Sequence, residues 1–245
     1  MEKYSTLALP NVNSIRQMSG FMGIQEMESK VIKDSKIETV KKSMLTACIK
    51  LADLGFLAGV GGNLAVRIDS KLMAVTPSAT DYYTMKPDDL CILEINGLKM
   101  VEGTKQPTTE SGIHASFFSL RPEIEVSLHT HQPLASAVSL LGLDMDIESM
   151  EGKQNIGQFV RIVPYAPSGT PFLVRAFRKK ITKETNGYLL RNHGLVCGAL
   201  SLDRAIANVK LVEKEAARFL RNRIEKNQNL IYMPNEMKQQ LLSAL

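Results

Sequence analysis

Residues 123–131, Glu-Ile-Glu-Val-Ser-Leu-His-Thr-His, alternate strictly between Ile124, Val126 and Leu128 on one parity and Glu125, Ser127, His129 and His131 on the other. A period of two belongs to an extended strand, because successive side chains leave a strand on opposite faces. The segment is therefore read as a strand that buries the apolar parity and points the polar one the other way. Both imidazoles then share a face and can reach one metal ion, for which neutral imidazole is a common ligand. Taken alone, the pair reads more simply as two polar residues at a strand end.

The rest of the chain supplies partners for such a strand. After the loop holding Gly59, Gly61 and Gly62, short apolar runs at 64–68, 72–76 and 90–95 are separated by polar or proline-bearing turns, as in an antiparallel meander. Ser35 and Glu38 have the spacing of a capping box, and Val40, Met44, Ala47, Leu51 and Leu54 then recur on one helical face until Gly55. Further helices are expected at 109–120, ended by Pro122, and at 133–141, between Pro133 and Gly142. A long helix at 201–227 should bury Leu202, Val209, Val212, Ala216, Phe219 and Leu220. Mixed elements without strict βαβ alternation predict an α/β protein of the α+β type, with a central, mostly antiparallel sheet flanked by helices. Residues 1–34, polar and broken by Pro10, Gly20 and Gly23, are read as an N-terminal extension, and 35–245 as a single catalytic domain.

Composition narrows the partners. Thirty basic and 25 acidic residues leave a charge of +5, scattered along the chain, which suits a phosphate ester better than a nucleic-acid track. With no tryptophan and no arginine-rich arm, no nucleic acid is expected. Asn11, Asn13, Arg16 and Gln17 interrupt the start of the chain, and no apolar run reaches membrane-spanning length, so no membrane partner is expected. Cys48, Cys91 and Cys197 are odd in number and far apart, which argues against disulfides and for a cytoplasmic protein.

Other residues fit a site around the two histidines. His193 follows a strand-like run and precedes Gly194, a residue that tolerates crowding beside an imidazole. His114 lies four residues after Glu110 on the same helical face, where hydrogen bonding to the site or packing is a better reading than ligation. Gly61-Gly62-Asn63 lets backbone approach a ligand, and Thr108 and Thr109 stand at a helix start, where they are either N-capping residues or part of an anion site. Thr76-Pro77-Ser78-Ala79 is a turn that can add a hydroxyl.

Taken in order, Gly62-Asn63-Leu64-Ala65-Val66-Arg67, Val75-Thr76-Pro77-Ser78, Pro107-Thr108-Thr109-Glu110, His129-Thr130-His131 and Asn192-His193-Gly194 resemble the class II aldolase/adducin family, over about residues 38–225. The resemblance implies that family's three-layer fold. It implies that His129, His131 and His193 hold a divalent metal, usually zinc (Zn2+) and otherwise an ion such as Mn2+ or Co2+. Glu110 either completes the coordination or serves as catalytic acid/base. It further implies a phosphate site at Gly62, Asn63, Ser78, Ala79, Thr108 and Thr109, and a homotetramer with active sites at subunit interfaces. The expected reaction is reversible cleavage of a ketose 1-phosphate of the fuculose or ribulose type to dihydroxyacetone phosphate and an aldehyde, with the metal stabilising the enediolate.

The sequence departs from that pattern where aldolases of the family carry tyrosine proton donors. Residues 146–150 read Asp-Ile-Glu-Ser-Met, and no obvious C-terminal tail precedes Leu245. The Thr-His-Ala-Asp segment typical of the family's 4-epimerases is missing too, which ranks that activity below aldol cleavage. Decarboxylation of a keto acid and dehydration of methylthioribulose phosphate would use the same site. A non-catalytic adducin-like interaction module should lack the metal ligands that this chain retains.

Overall fold

Residues 24–57, 59, 61–226 and 234–245 are described in a computed structural model. By its internal contacts the chain divides after Thr39, and the sheet and every candidate site residue lie in 40–245. The helix expected from Ser35 is part of a longer one, α1 (Ile24–Asp53). Ser35 does not cap it: its carbonyl accepts a hydrogen bond from the Thr39 hydroxyl within the helix. Most of the proposed leader, residues 1–23, lies outside the described residues. In the second unit α1 buries Lys41, Met44, Ala47, Cys48 and Leu51, an i, i+3, i+4 stripe, whereas Leu54 is exposed just beyond the helix end.

The short apolar runs become β1 (Asn63–Arg67), β2 (Leu72–Val75), β3 (Cys91–Glu94) and β4 (Met100–Glu102), an antiparallel meander with short turns after β1 and β3 and a longer connection, residues 76–90, after β2. The alternating segment gives β5 (Val126–Thr130), and β6 (Met145–Asp146), β7 (Phe159–Val163), β8 (Gly187–Leu190) and β9 (Gly194–Ala199) complete the sheet. The strand order is β4-β3-β2-β1-β5-β9-β8-β7-β6, antiparallel except for β7 and β8. That parallel pair needs a crossover, supplied by α5 (Pro171–Lys180). The other helices are α2 (Ser111–Leu120), α3 (Pro133–Leu140), α4 (Met150–Asn155), α6 (Leu202–Lys226) and α7 (Asn235–Ala244). The long C-terminal helix thus runs as expected, with Leu202 and Leu220 only half-buried and Asn227 outside the described residues.

Helices α2 and α5 cover one face of the sheet. Phe117 of α2, Phe177 of α5 and Tyr188 of β8 are fully buried there and meet edge to face at centroid separations of 5.2–5.7 Å. Helices α3 and α6 take the opposite face, where Val209, Val212 and Ala216 are buried. With both faces covered, all five residues of β5 are buried, polar parity included. Ser127 and His129 are therefore not solvent-facing, and each needs a hydrogen-bond partner inside the protein.

Candidate metal centre and its carboxylate

β5 lies between β1 and β9, and the register places Asn63 opposite His129 on one side and Val196 opposite His129 on the other. Residues on neighbouring strands in register share a face, so the start of β1 and the end of β5 deliver Asn63 and His129 to one spot. β8 and β9 are joined through Arg191-Asn192-His193, with Asn192 in the left-handed region at φ 58° and His193 N–H donating to the Leu190 carbonyl. This tight hairpin turns the His193 ring back toward β5. Thr130 is fixed by donating to Gln132 Oε1, and the Gln132 amide donates to the Val209 carbonyl of α6, so the end of β5 is pinned.

The three rings converge. Nε2 of His129 lies 2.8 Å from Nε2 of His131 and 3.2 Å from Nε2 of His193. Three nitrogens each about 2.0–2.1 Å from a tetrahedral zinc are separated by about 3.3 Å, so the spacing suits one ion. His129 Nδ1 donates to the Leu195 carbonyl at 3.0 Å, which fixes the tautomer and leaves the Nε2 lone pair facing the shared space. Burial pushes the His129 pKa down to about 3 and lowers that of His131 as well, so both rings are neutral, the form that ligates. These three side chains are the metal-competent group among the described residues. His193 Nδ1 is buried without a hydrogen-bond partner, and Gly194 leaves no room for a Cβ between the rings.

Glu110 is the N-cap residue of α2 and is buried. Its Oε2 sits 3.2 Å from His129 Nε2 and its Oε1 3.6 Å from His193 Nε2. Asn63 Nδ2 donates to Oε2 and Ser168 Oγ to Oε1, each at 2.9 Å. Burial opposes ionisation, but the Asn63 and Ser168 hydrogen bonds hold the carboxyl below the usual carboxylate range. With His129 neutral, the two uncharged donors are the partners that keep Glu110 ionised at neutral pH. A carboxylate beside three imidazoles can join a cation's coordination shell or move a proton next to it.

Three segments expected near a phosphate are brought together by backbone pairing. Thr76 N–H donates to the Leu64 carbonyl, Ser78 N–H to Gln106, and Thr108 N–H to Thr76, with Pro77 and Pro107 bridged between them. Gly62, at φ 81°, packs where a Cβ would lie 2.8 Å from the His129 carbonyl, and its own carbonyl accepts from Tyr82 Oη at 2.6 Å. Thr108 is buried and its hydroxyl accepts from the Glu110 N–H, whereas Thr109 is exposed beside Gly169. Ser78 is half-buried, and Ala79 is exposed with a left-handed φ of 47°. Asn63 Nδ2 donates to Glu110 Oε2, and its Oδ1 lies 2.6 Å from His114 Nε2.

His114 is a hydrogen-bonding neighbour of the site and no ligand: its ring nitrogens lie 2.7 Å from Ser127 Oγ and 2.6 Å from Asn63 Oδ1. Ser168 was not expected from the sequence. A serine in Pro167-Ser168-Gly169-Thr170-Pro171 carries no periodic signal, and only the cluster of turn residues just before a helix marks that loop as built.

The family model described as Class II Aldolase and Adducin N-terminal domain matches residues 42–220. A 5-deoxy-D-ribulose 1-phosphate aldolase of Bacillus thuringiensis is 32% identical over 166 residues, 67% of this chain and 76% of that protein. A methylthioribulose-1-phosphate dehydratase of Yersinia enterocolitica is 28% identical over 184 residues, 70% of this chain and 86% of that protein. The solved structure of an L-fuculose 1-phosphate aldolase superposes with a TM-score of 0.70 at 28% identity, covering 84% of this chain and 95% of that one. The match runs from α1 through α6 and takes in every strand, both helical layers and all four residues of the centre, so this chain belongs to the class II aldolase and adducin family.

Proposed function

We propose that this protein is a divalent-metal-dependent aldehyde-lyase that reversibly cleaves a ketose 1-phosphate to dihydroxyacetone phosphate and an aldehyde. The observation that carries this reading is the convergence of His129, His131 and His193 with an ionised, doubly hydrogen-bonded Glu110. A divalent ion held there, zinc or alternatively manganese or cobalt, supplies Lewis-acid stabilisation of negative charge developing on the ketose oxygens. The three imidazoles bind and orient; Glu110 holds or moves the proton at the carbon of the dihydroxyacetone phosphate fragment. Gly62-Asn63, Ser78-Ala79 and Thr108-Thr109 form the phosphate cradle, remote from the reacting bond, where binding fixes orientation. The aldolase names of the Bacillus thuringiensis relative and of the superposed structure support the reaction class.

The same reading takes 35–245 as the catalytic domain, with 1–34 as an extension, and the enzyme as a cytoplasmic homotetramer. Among the described residues no helix is long and apolar enough to cross a membrane. A second reading is dehydration of a methylthioribulose-type phosphate, favoured by the Yersinia relative and by residues 146–150, which contain no tyrosine. The test is incubation of the metal-loaded protein with a panel of ketose 1-phosphates, coupled to detection of dihydroxyacetone phosphate. Release from at least one supports the proposal. Loss of water from methylthioribulose phosphate, or carbon dioxide from a keto acid, with no dihydroxyacetone phosphate from any ketose, reverses the order.

A further inference from the structure

The connection between β2 and β3 carries two adjacent tyrosines whose hydroxyls go to different places. Asp81 fixes the turn that presents them: its Oδ1 accepts from the Tyr83 N–H at 2.8 Å and its carbonyl from the Met85 N–H at 3.0 Å. Tyr83 is 62% exposed, and its hydroxyl donates to Asp53 Oδ1 at the end of α1. Tyr82 is 5% exposed, and its hydroxyl donates to the Gly62 carbonyl at 2.6 Å, with the Gly61 carbonyl 3.5 Å away. Burial raises the Tyr82 pKa, so the phenol keeps its proton and is a donor at neutral pH.

The bond joins two parts of the phosphate cradle. Backbone pairing already ties Ser78 to Gln106 and Thr108 to Thr76, but those bonds do not reach the glycine loop. Gly62 is pressed against its neighbours on one side, where a Cβ would lie 2.5 Å from Leu57 Cδ2 and 2.8 Å from the His129 carbonyl. Among the described residues, Tyr82 is the side chain that hydrogen-bonds the Gly61 and Gly62 carbonyls to the 76–90 connection. A glycine at φ 81° has the freedom to rotate its peptide. A carbonyl turned into the cradle would set its oxygen against the phosphate oxygens, whereas one committed to Tyr82 leaves backbone N–H groups as the loop's contribution to an anion site.

We propose that Tyr82 is a positioning residue of the phosphate cradle, its hydroxyl holding the Gly62 carbonyl so that the glycine loop and the Ser78-Ala79 turn engage one phosphate group together. The inference rests on the cradle reading above and assigns to it a residue that does not itself touch the substrate.

The test uses Tyr82→Phe and Tyr83→Phe in the full, zinc-loaded chain, with inorganic phosphate as the probe. Three quantities are measured: phosphate affinity by calorimetry, zinc affinity by chelator competition, and amide hydrogen exchange of 61–63 and 76–83 with and without phosphate. In the wild type, phosphate should slow exchange in both segments. Tyr82→Phe keeps the buried ring and loses one hydrogen bond, so phosphate binding should weaken by about 3- to 10-fold, with protection of 61–63 lost and zinc affinity unchanged. Tyr83→Phe removes the neighbouring hydroxyl from the same turn and should bind phosphate as the wild type does. Wild-type phosphate affinity in Tyr82→Phe, an equal loss in Tyr83→Phe, or a parallel loss of zinc affinity would overturn the assignment. If Tyr82→Phe fails to fold, the wild-type exchange decides: slowing of one segment without the other overturns it. A wild-type chain that binds no phosphate, or binds it with neither segment slowed, is a separate result, which removes the cradle reading itself.

Discussion

Replacing Gly194 with alanine adds one methyl group where the rings converge. A Cβ on Gly194 would lie 2.5 Å from the Thr130 carbonyl oxygen, 2.7 Å from His131 Cδ2 and 3.3 Å from His129 Cε1. Ordinary contact needs about 3.4 Å or more, so the His131 ring or β9 must give way by about 0.7 Å and the Thr130 carbonyl by rather more. None of these is the free end of a flexible chain: Thr130 is backbone of a central strand, and both rings are fixed by the site. A metal ligand tolerates only about 0.2 Å of displacement, so the shift alone should lower zinc affinity by about 10- to 100-fold. Overpacking should add about 1–3 kcal/mol of destabilisation in the metal-free protein. Chelator competition measures the first effect and urea unfolding of the metal-free protein the second. Wild-type zinc affinity in Gly194→Ala would refute the claim that the rings stand where the metal requires them.

Glu110→Gln keeps the hydrogen-bonding shape but removes the proton acceptor; turnover should fall by about 10²- to 10⁴-fold while stoichiometric zinc is retained by the histidines, checked by assay and metal analysis side by side. His114 has its pKa depressed by burial from 6.5 to about 4, so protonation favours the unfolded chain. Its contribution is complete above about pH 6.5 and is lost as pH falls toward 4, on the order of 3 kcal/mol over that window, which pH-dependent unfolding of metal-free wild type against His114→Gln should show as a shallower slope in the variant. Phe117→Ala should destabilise by about 3–5 kcal/mol in urea unfolding, because its fully buried ring meets both Phe177 and Tyr188.

The parts of the fold that repeat at a fixed period were readable from sequence. The alternation of 123–131 gave β5, and the apolar stripe of 201–227 gave α6, each to within a few residues. The same alternation separates the two parities but does not say what lies over the polar one, and β5 is covered on both sides. The start of α1 was missed because Ser35 and Glu38 satisfy a local capping rule that the helix overrides by continuing upstream. In the site, the three histidines that converge were legible because His-x-His and His-Gly recur in order with the other motifs. Ser168 and the direction of the Asn63 amide were not, because each depends on what a distant segment places beside it.

The pairing of β5 with β9 bears on how metal arrives and leaves. His129 sits opposite Val196, three residues from His193, in a ladder of backbone hydrogen bonds that owes nothing to an ion. On the proposed metal-site reading, folding would assemble the three histidines before any cation binds, and the cation would act as a latch on a closed frame. Amide hydrogen exchange in β5 and β9 should stay slow after the metal is removed, with faster exchange limited to the 191–193 turn. Metal exchange would then be timed by small openings of that hairpin, with the protein remaining folded throughout.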